Sequence, residues 1–101
     1  MPNMAFMEIG MGWYVYIIRA SDNSLYTGIT TDVQRRFNEH CSPDKGARFF
    51  RGRNPQEVVY TELLKNRSSA QRREAEIKKL TGKGKLKLVD EYGIKPPGRP
   101  C

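Results

Sequence analysis

Three tyrosines stand in the most apolar part of the chain, "YVYIIRASDNSLYTGIT" (14–30), as Tyr14, Tyr16 and Tyr26, and they are followed by Arg36 and the one histidine, His40. Hydroxyl, guanidinium and imidazole are groups that orient water, bind anions and move protons. Arg36 and His40 are four residues apart, so on a helix they share one face. A tyrosine with an intrinsic pKa near ~10 is a weak base at neutral pH unless cations lower it, so these hydroxyls need a charged neighbour if they are to act as bases. Each residue also has an ordinary structural use. The tyrosines can be core aromatics with one bonded hydroxyl, Arg36 a solvated helix residue, and His40 a packing or capping group near a helix end. Taken one at a time, these residues favour the structural use.

The elements that must position these groups follow from local pattern. "WYVYIIR" (13–19) is β-branched and aromatic without polar alternation, which reads as a central strand buried on both faces. "SLYTGIT" (24–30) returns as its hairpin partner, with Gly28 marking a bend or a close backbone approach. A three-residue loop over Ser21, Asp22 and Asn23, with Asn23 tolerating the left-handed conformation, pairs positions that sum to 44. Tyr16 is then diagonal to Tyr26 on one face, whereas a two-residue loop would separate them. "TTDVQRRFNEHC" (30–41) predicts a helix over about 32–41, with Thr31 as N-cap, Gln34 completing a capping box, and Val33 and Phe37 packing inward.

"EVVYTELL" (57–64) predicts a third strand. "NRSSAQRREAEIKKL" (66–80) predicts a second helix with a Ser68/Gln71 capping box and Ala70, Ile77 and Leu80 on its inner side. On that helix Glu74 lies close to the inward side, four residues from Ala70 and three from Ile77. Glu76 is turned by about 100° from Ile77. An ion pair of Glu74 with Lys78 is its ordinary alternative. "TGKGKLKLVDEYG" (81–93) is read as a helix ending at Gly93, although Leu86 and Leu88 also alternate like a strand. "TGKGK" lacks the spacing of a phosphate-binding loop, which excludes nucleotide binding there.

The chain of 101 residues supports one domain, over 13–93, between a leader at 1–12 and a proline-rich tail at 94–101 that cannot continue a helix. Eighteen Lys and Arg against eleven Asp and Glu give a net charge of +7, which makes nucleic acid the leading partner class. The loop "KGARFFRGR" (45–53) is either a mobile connector or a grip, in which Lys45, Arg48, Arg51 and Arg53 meet phosphates and Phe49 stacks on an unpaired base. Cys41 and Cys101 form no motif, and with one histidine they cannot complete a four-ligand zinc site. A reducing, cytoplasmic setting is expected, with Cys101 a bystander in the tail. No signal peptide or membrane span is indicated in 1–12.

The ordered set "YVY" (14–16), "YTG" (26–28), Arg36, His40 and the glutamate of "SSAQRREAEIKKL" resembles the GIY-YIG nuclease domain. With "TGIT" (27–30), the "RGRNP" loop (51–55) and "REAEIKK" (73–79), the span from Trp13 to about Tyr92 is most similar to the small stand-alone bacterial, YhbQ-like branch. Tyr14 stands where the first motif has glycine, and Thr27 where the second has isoleucine. The resemblance implies an α/β fold, a small three-stranded antiparallel sheet flanked by helices, and hydrolysis of a phosphodiester with one divalent cation, Mg²⁺ or Mn²⁺.

In the implied scheme Tyr16 and Tyr26 orient or deprotonate the attacking water, and Arg36 binds the scissile phosphate. His40 assists proton movement, and Glu74 holds the metal near the leaving oxygen. The expected activity is a DNA endonuclease of weak sequence preference, acting on branched, nicked or single-stranded DNA, since one small domain has few side chains for reading bases. The rivals are a DNA- or RNA-binding module of the same fold and a nuclease subunit that depends on a partner protein.

Overall fold

The computed structural model describes residues 12–42 and 44–93. The expected leader up to residue 11 and the proline-rich tail with Cys101 lie outside the described residues, while Gly12 is buried against Leu63 and Leu64. Strand β1 (Trp13–Ala20) is the middle of a three-stranded antiparallel sheet of order β2-β1-β3, with β2 (Leu25–Thr30) and β3 (Pro55–Leu64) at its edges. Its unbroken apolar run has the predicted cause, because Val15, Tyr16, Ile17 and Ile18 are all buried and point alternately to two covered faces.

The hairpin register is the one expected. Tyr14 pairs Thr30, Tyr16 pairs Gly28 and Ile18 pairs Tyr26, with Asn23 in the left-handed region at φ 69°. The turn is anchored from outside, since Ser21 N–H donates to the Asn54 carbonyl and Asn54 N–H to the Ser21 hydroxyl.

Helix α1 (Val33–His40) lies on the face of Tyr16 and Ile18, where Phe37 closes a cluster with Tyr26, Val33, Phe50 and Val58. The other face carries Val15 and Ile17 and is covered by α2 (Arg67–Lys78) and α3 (Gly82–Tyr92) through Ala70, Ile77, Leu88 and Val89. The register of β3 shifts opposite Ile17/Ile18, so that Val59 and Tyr60 both join this second cluster. The last segment is the helix expected, ended by Gly93 N–H on the Val89 carbonyl.

Three local expectations are corrected. The N-cap of α1 is Asp32, whose carboxylate accepts from Arg35 N–H, not Thr31 with Gln34. Thr30 accounts for the shift, because its hydroxyl takes Asp32 N–H and holds that residue extended, at φ −145°, as a cap requires. The N-cap of α2 is Asn66, accepting from Ser69 N–H at 2.8 Å, so Ser68 falls inside the helix. Leu80 is 40% exposed, because α2 stops at Lys78 and the chain turns before Leu80 can return to the Ile77 face.

Thr27 sits opposite Ile17 on the α2 side, 2% exposed, and its hydroxyl has no hydrogen-bond partner among the described residues. An unpaired buried hydroxyl costs about 1–3 kcal/mol. Thr27→Val keeps the shape and removes the polar atom, so it should raise stability by about 1 kcal/mol in denaturant unfolding. A loss of stability would show that the hydroxyl is satisfied in solution.

Candidate active site

Tyr16 is 1% exposed, yet its hydroxyl lies at 2.8 Å from His40 Nε2, twenty-four residues away. The approach depends on Gly28, the cross-strand partner of Tyr16. A Cβ at Gly28 would come within 2.6 Å of the Tyr16 oxygen, so the ring crosses the edge strand only where the side chain is a hydrogen. Tyr26 stands beside them, its ring centroid 6.2 Å from that of Tyr16 and 5.3 Å from that of His40. Phe50 closes the cluster at 4.7 Å from His40 and 5.2 Å from Tyr26.

One turn before His40, Arg36 Nη1 donates to Glu39 Oε1 at 2.8 Å and to the Lys45 carbonyl at 3.2 Å. Burial works against the Arg36 charge, but Glu39 and the Tyr16 hydroxyl outweigh it and hold the guanidinium above its ordinary pKa. Tyr16 is pushed up from the usual tyrosine value by burial first and by Tyr26 second. Arg36 pulls the other way without winning, and the Glu74 carboxylate adds a further upward push. Three predicted residues, Tyr16, Tyr26 and His40, are thus in mutual contact, Arg36 lies within electrostatic range of Tyr16 and His40, and the Glu74 carboxylate on α2 within that of Tyr16. The phenol of Tyr16 is neutral, since the expected cationic help does not outweigh burial.

His40 is 2% exposed, and burial first, then Arg36, lowers its pKa to about 4 while Glu39 opposes. The neutral ring accepts Ala47 N–H on Nδ1 at 3.1 Å. An unfolded histidine titrates near 6.5, so between that value and about 4 the unfolded chain binds a proton that the folded chain does not. The contribution of His40 to stability is complete above the upper value and is lost as pH falls toward the lower one, by up to about 3 kcal/mol. Urea unfolding at about pH 7.5 and about pH 4.5 checks this, with His40→Gln expected to lose most of the slope. A wild-type stability no more acid-sensitive than the variant's would overturn it.

The model of the GIY-YIG catalytic domain matches residues 12–87. The chain belongs to the GIY-YIG family. Relatives within it include small UPF0213 proteins. The chain is 49% identical to the UPF0213 protein DP2720 of Desulfotalea psychrophila, over 76% of this chain and 70% of that one. It is 47% identical to the UPF0213 protein YhbQ of Escherichia coli, over 78% of each chain. A solution NMR structure of the UPF0213 protein BH0048 from Bacillus halodurans superposes with a TM-score of 0.54 at 44% identity, over 82% of this chain and 87% of that one. The family and the fold expected from the motifs are therefore those found, and the GIY-YIG catalytic domain places the chain in a nuclease family.

Of the two glutamates on α2 of this GIY-YIG chain, Glu74 has a side chain 22% exposed and pairs with Lys78 at 3.1 Å, whereas Glu76 is 65% exposed and pairs with Arg73 at 3.0 Å. Arg73 also holds Glu62 of β3 at 2.9 Å, and Glu62 in turn accepts the Tyr60 hydroxyl at 2.7 Å. This chain of bonds ties the Glu74 turn of α2 to the sheet.

The basic loop divides. Lys45, Arg48 and Arg51 are exposed, the last two at either end of the short 3-10 turn Arg48–Phe50. Arg53 instead pairs with Asp22 of the hairpin turn at 3.3 Å and covers the Phe49 ring, 4.3 Å from its centroid. Phe49 further packs on Tyr26 and Phe50, at 5.2 and 5.1 Å. Sequence reasoning missed Phe50 as the ring against His40, and Glu39 as the partner of Arg36. It also missed the backbone of residues 45–47 as a bonding partner of α1. Glu39 was findable, since an acidic residue three after an arginine on a helix is within its reach.

Proposed function

We propose that the protein is a metal-dependent endonuclease that hydrolyses DNA phosphodiester bonds with weak sequence preference, on branched, nicked or single-stranded DNA. The observation that carries this reading is the buried contact of the Tyr16 hydroxyl with His40 Nε2, with the Tyr26 ring packed beside both and Arg36 one turn before His40 on the same helix. A pure binding surface needs no buried hydroxyl–imidazole pair and no carboxylate beside a phosphate.

Tyr16, as a neutral phenol, orients the attacking water, with Tyr26 bordering the same space. Arg36 offers its charge to the scissile phosphate in place of Glu39. Glu74 is the residue that would hold a divalent cation. A single carboxylate fits such an ion, since Mg²⁺ is commonly held by one or two carboxylates together with substrate phosphates and water. Lys78 now occupies a position by Glu74 that a cation can take. When bound, the ion supplies positive charge for the leaving oxygen. Lys45, Arg48 and Arg51 lie exposed for the flanking phosphates, so shape and charge rather than base contacts dominate binding.

The test is incubation of the purified protein with labelled duplex, single-stranded and branched DNA, in Mg²⁺ or Mn²⁺ and in chelator. Metal-dependent cleavage of at least one substrate is expected. Binding without cleavage under every condition would favour the non-catalytic module, and cleavage restored only by cell extract would favour a partner-dependent subunit.

A further inference from the structure

We infer that the backbone of residues 45–47, seated on the end of α1 by Gly46, is a positioning device that fixes the His40 proton on Nε2 and thereby turns the Tyr16 hydroxyl proton outward. The catalytic consequence rests on the nuclease reading above; the proton placement does not.

A backbone N–H only donates. Because Ala47 N–H bonds to His40 Nδ1 at 3.1 Å, Nδ1 is the bare nitrogen, and the single proton of the neutral ring sits on Nε2. Nε2–H therefore donates to the Tyr16 oxygen at 2.8 Å, and the phenolic proton of Tyr16 has to point away from the imidazole. Held this way, His40 cannot take the tyrosine's proton. It supplies a hydrogen bond to the oxygen and leaves the O–H available to an incoming water or phosphate oxygen. With Nδ1 released, the other tautomer becomes accessible, and Nε2 would then draw the hydroxyl proton inward.

Two further observations single out this loop. Lys45, two residues before Ala47, accepts from Arg36 Nη1 through its carbonyl, so one short backbone segment braces both α1 residues of the site. Between them, a Cβ on Gly46 would lie 2.7 Å from His40 Cα, 3.0 Å from the His40 carbonyl oxygen and 3.2 Å from that of Glu39. These are backbone atoms of the helix end and cannot swing aside, so a side chain at 46 must lift the loop. The groups facing the imidazole are Arg36 and Glu39 from its own helix, Tyr16 from β1, Tyr26 from β2 and Phe50 from the loop. Within hydrogen-bonding distance, Ala47 N–H is the partner that selects the tautomer.

Ala47 has φ −64° and ψ 153°, a conformation proline adopts, so Ala47→Pro removes the N–H; the ring Cδ takes the place of that hydrogen toward Nδ1, so the segment also moves off the imidazole. The chain has one histidine, so long-range ¹H–¹⁵N spectra report His40 without assignment. In the wild type at neutral pH, Nδ1 should resonate as bare and Nε2 as protonated. In Ala47→Pro both nitrogens should shift toward averaged values, and turnover should fall on the order of 10-fold at little change in KM. Gly46→Ala should move the spectra the same way and serves if the proline variant does not fold.

A wild-type proton on Nδ1, or a tautomer mixture, would overturn the inference. So would an unchanged spectrum in the folded variants. A locked tautomer in a protein that cuts no DNA would instead remove the nuclease reading and leave the proton placement standing.

Discussion

Tyr16→Phe is expected to lower DNA cleavage on the order of 10³-fold while binding of the same DNA is kept, the scale on which a positioned proton-handling group acts. The ring stays in its place across Gly28, and what is lost is the oxygen between His40 and the space beside Arg36. The change is not silent for the fold. It leaves His40 Nε2–H buried without its acceptor, a cost of about 1–2 kcal/mol. In a domain of this size that lowers Tm by roughly 5–10 °C, so turnover has to be compared well below the melting range.

Tyr14→Phe is the control. Tyr14 shares the strand face but pairs with Thr30 and Leu63, away from His40, and its variant should keep most activity. If Tyr16→Phe cut DNA as the wild type does, the hydroxyl–imidazole pair would be a structural contact, and the reading of this site as catalytic would fail with it.

Glu74→Gln should remove metal-dependent turnover, by on the order of 10³-fold or more, because it takes away the one carboxylate assigned to the cation. The fold should tolerate it well, since the ion pair with Lys78 is a helix-surface pair at a half-exposed lysine, a class of contact that contributes at most a few tenths of a kcal/mol. Glu76→Gln should be nearly silent, as that side chain is 65% exposed and pairs with Arg73 of its own turn. Calorimetric Mg²⁺ titration separates a binding defect from a chemical one. Undiminished Mg²⁺-dependent cleavage by the Glu74 variant would show that the cation sits elsewhere.

What could be read without coordinates was whatever depends on local pattern and fixed period. The alternation rule made one turn-length decision sufficient for the whole hairpin. Three loop residues with Asn23 in the left-handed region place Tyr16 against Gly28 and diagonal to Tyr26, as observed. The helical period put Arg36 and His40 on one face, and ranked Glu74 as more inward than Glu76, for the same reason. Caps were less legible, because Thr31 and Asp32, or Asn66 and Ser68, offer equally competent side-chain oxygens. The choice between them is made by where the preceding strand releases the chain, as Thr30 shows in holding Asp32 extended.

The sequence by itself determined the family, the order of elements and the shared faces of Tyr16 with Tyr26 and of Arg36 with His40, since those follow from motif and period. The tertiary structure alone decided the surroundings each of them meets. Burial keeps Tyr16 a neutral phenol against the pull of Arg36, the desolvation of a deep site exceeding the attraction of one partly screened cation. Arg53 belongs to Asp22 and Phe49 rather than standing with Arg48 and Arg51, because the hairpin turn docks onto its loop. The proton of His40 is placed by a backbone N–H, a donor that every residue but proline carries and that no residue type can therefore announce.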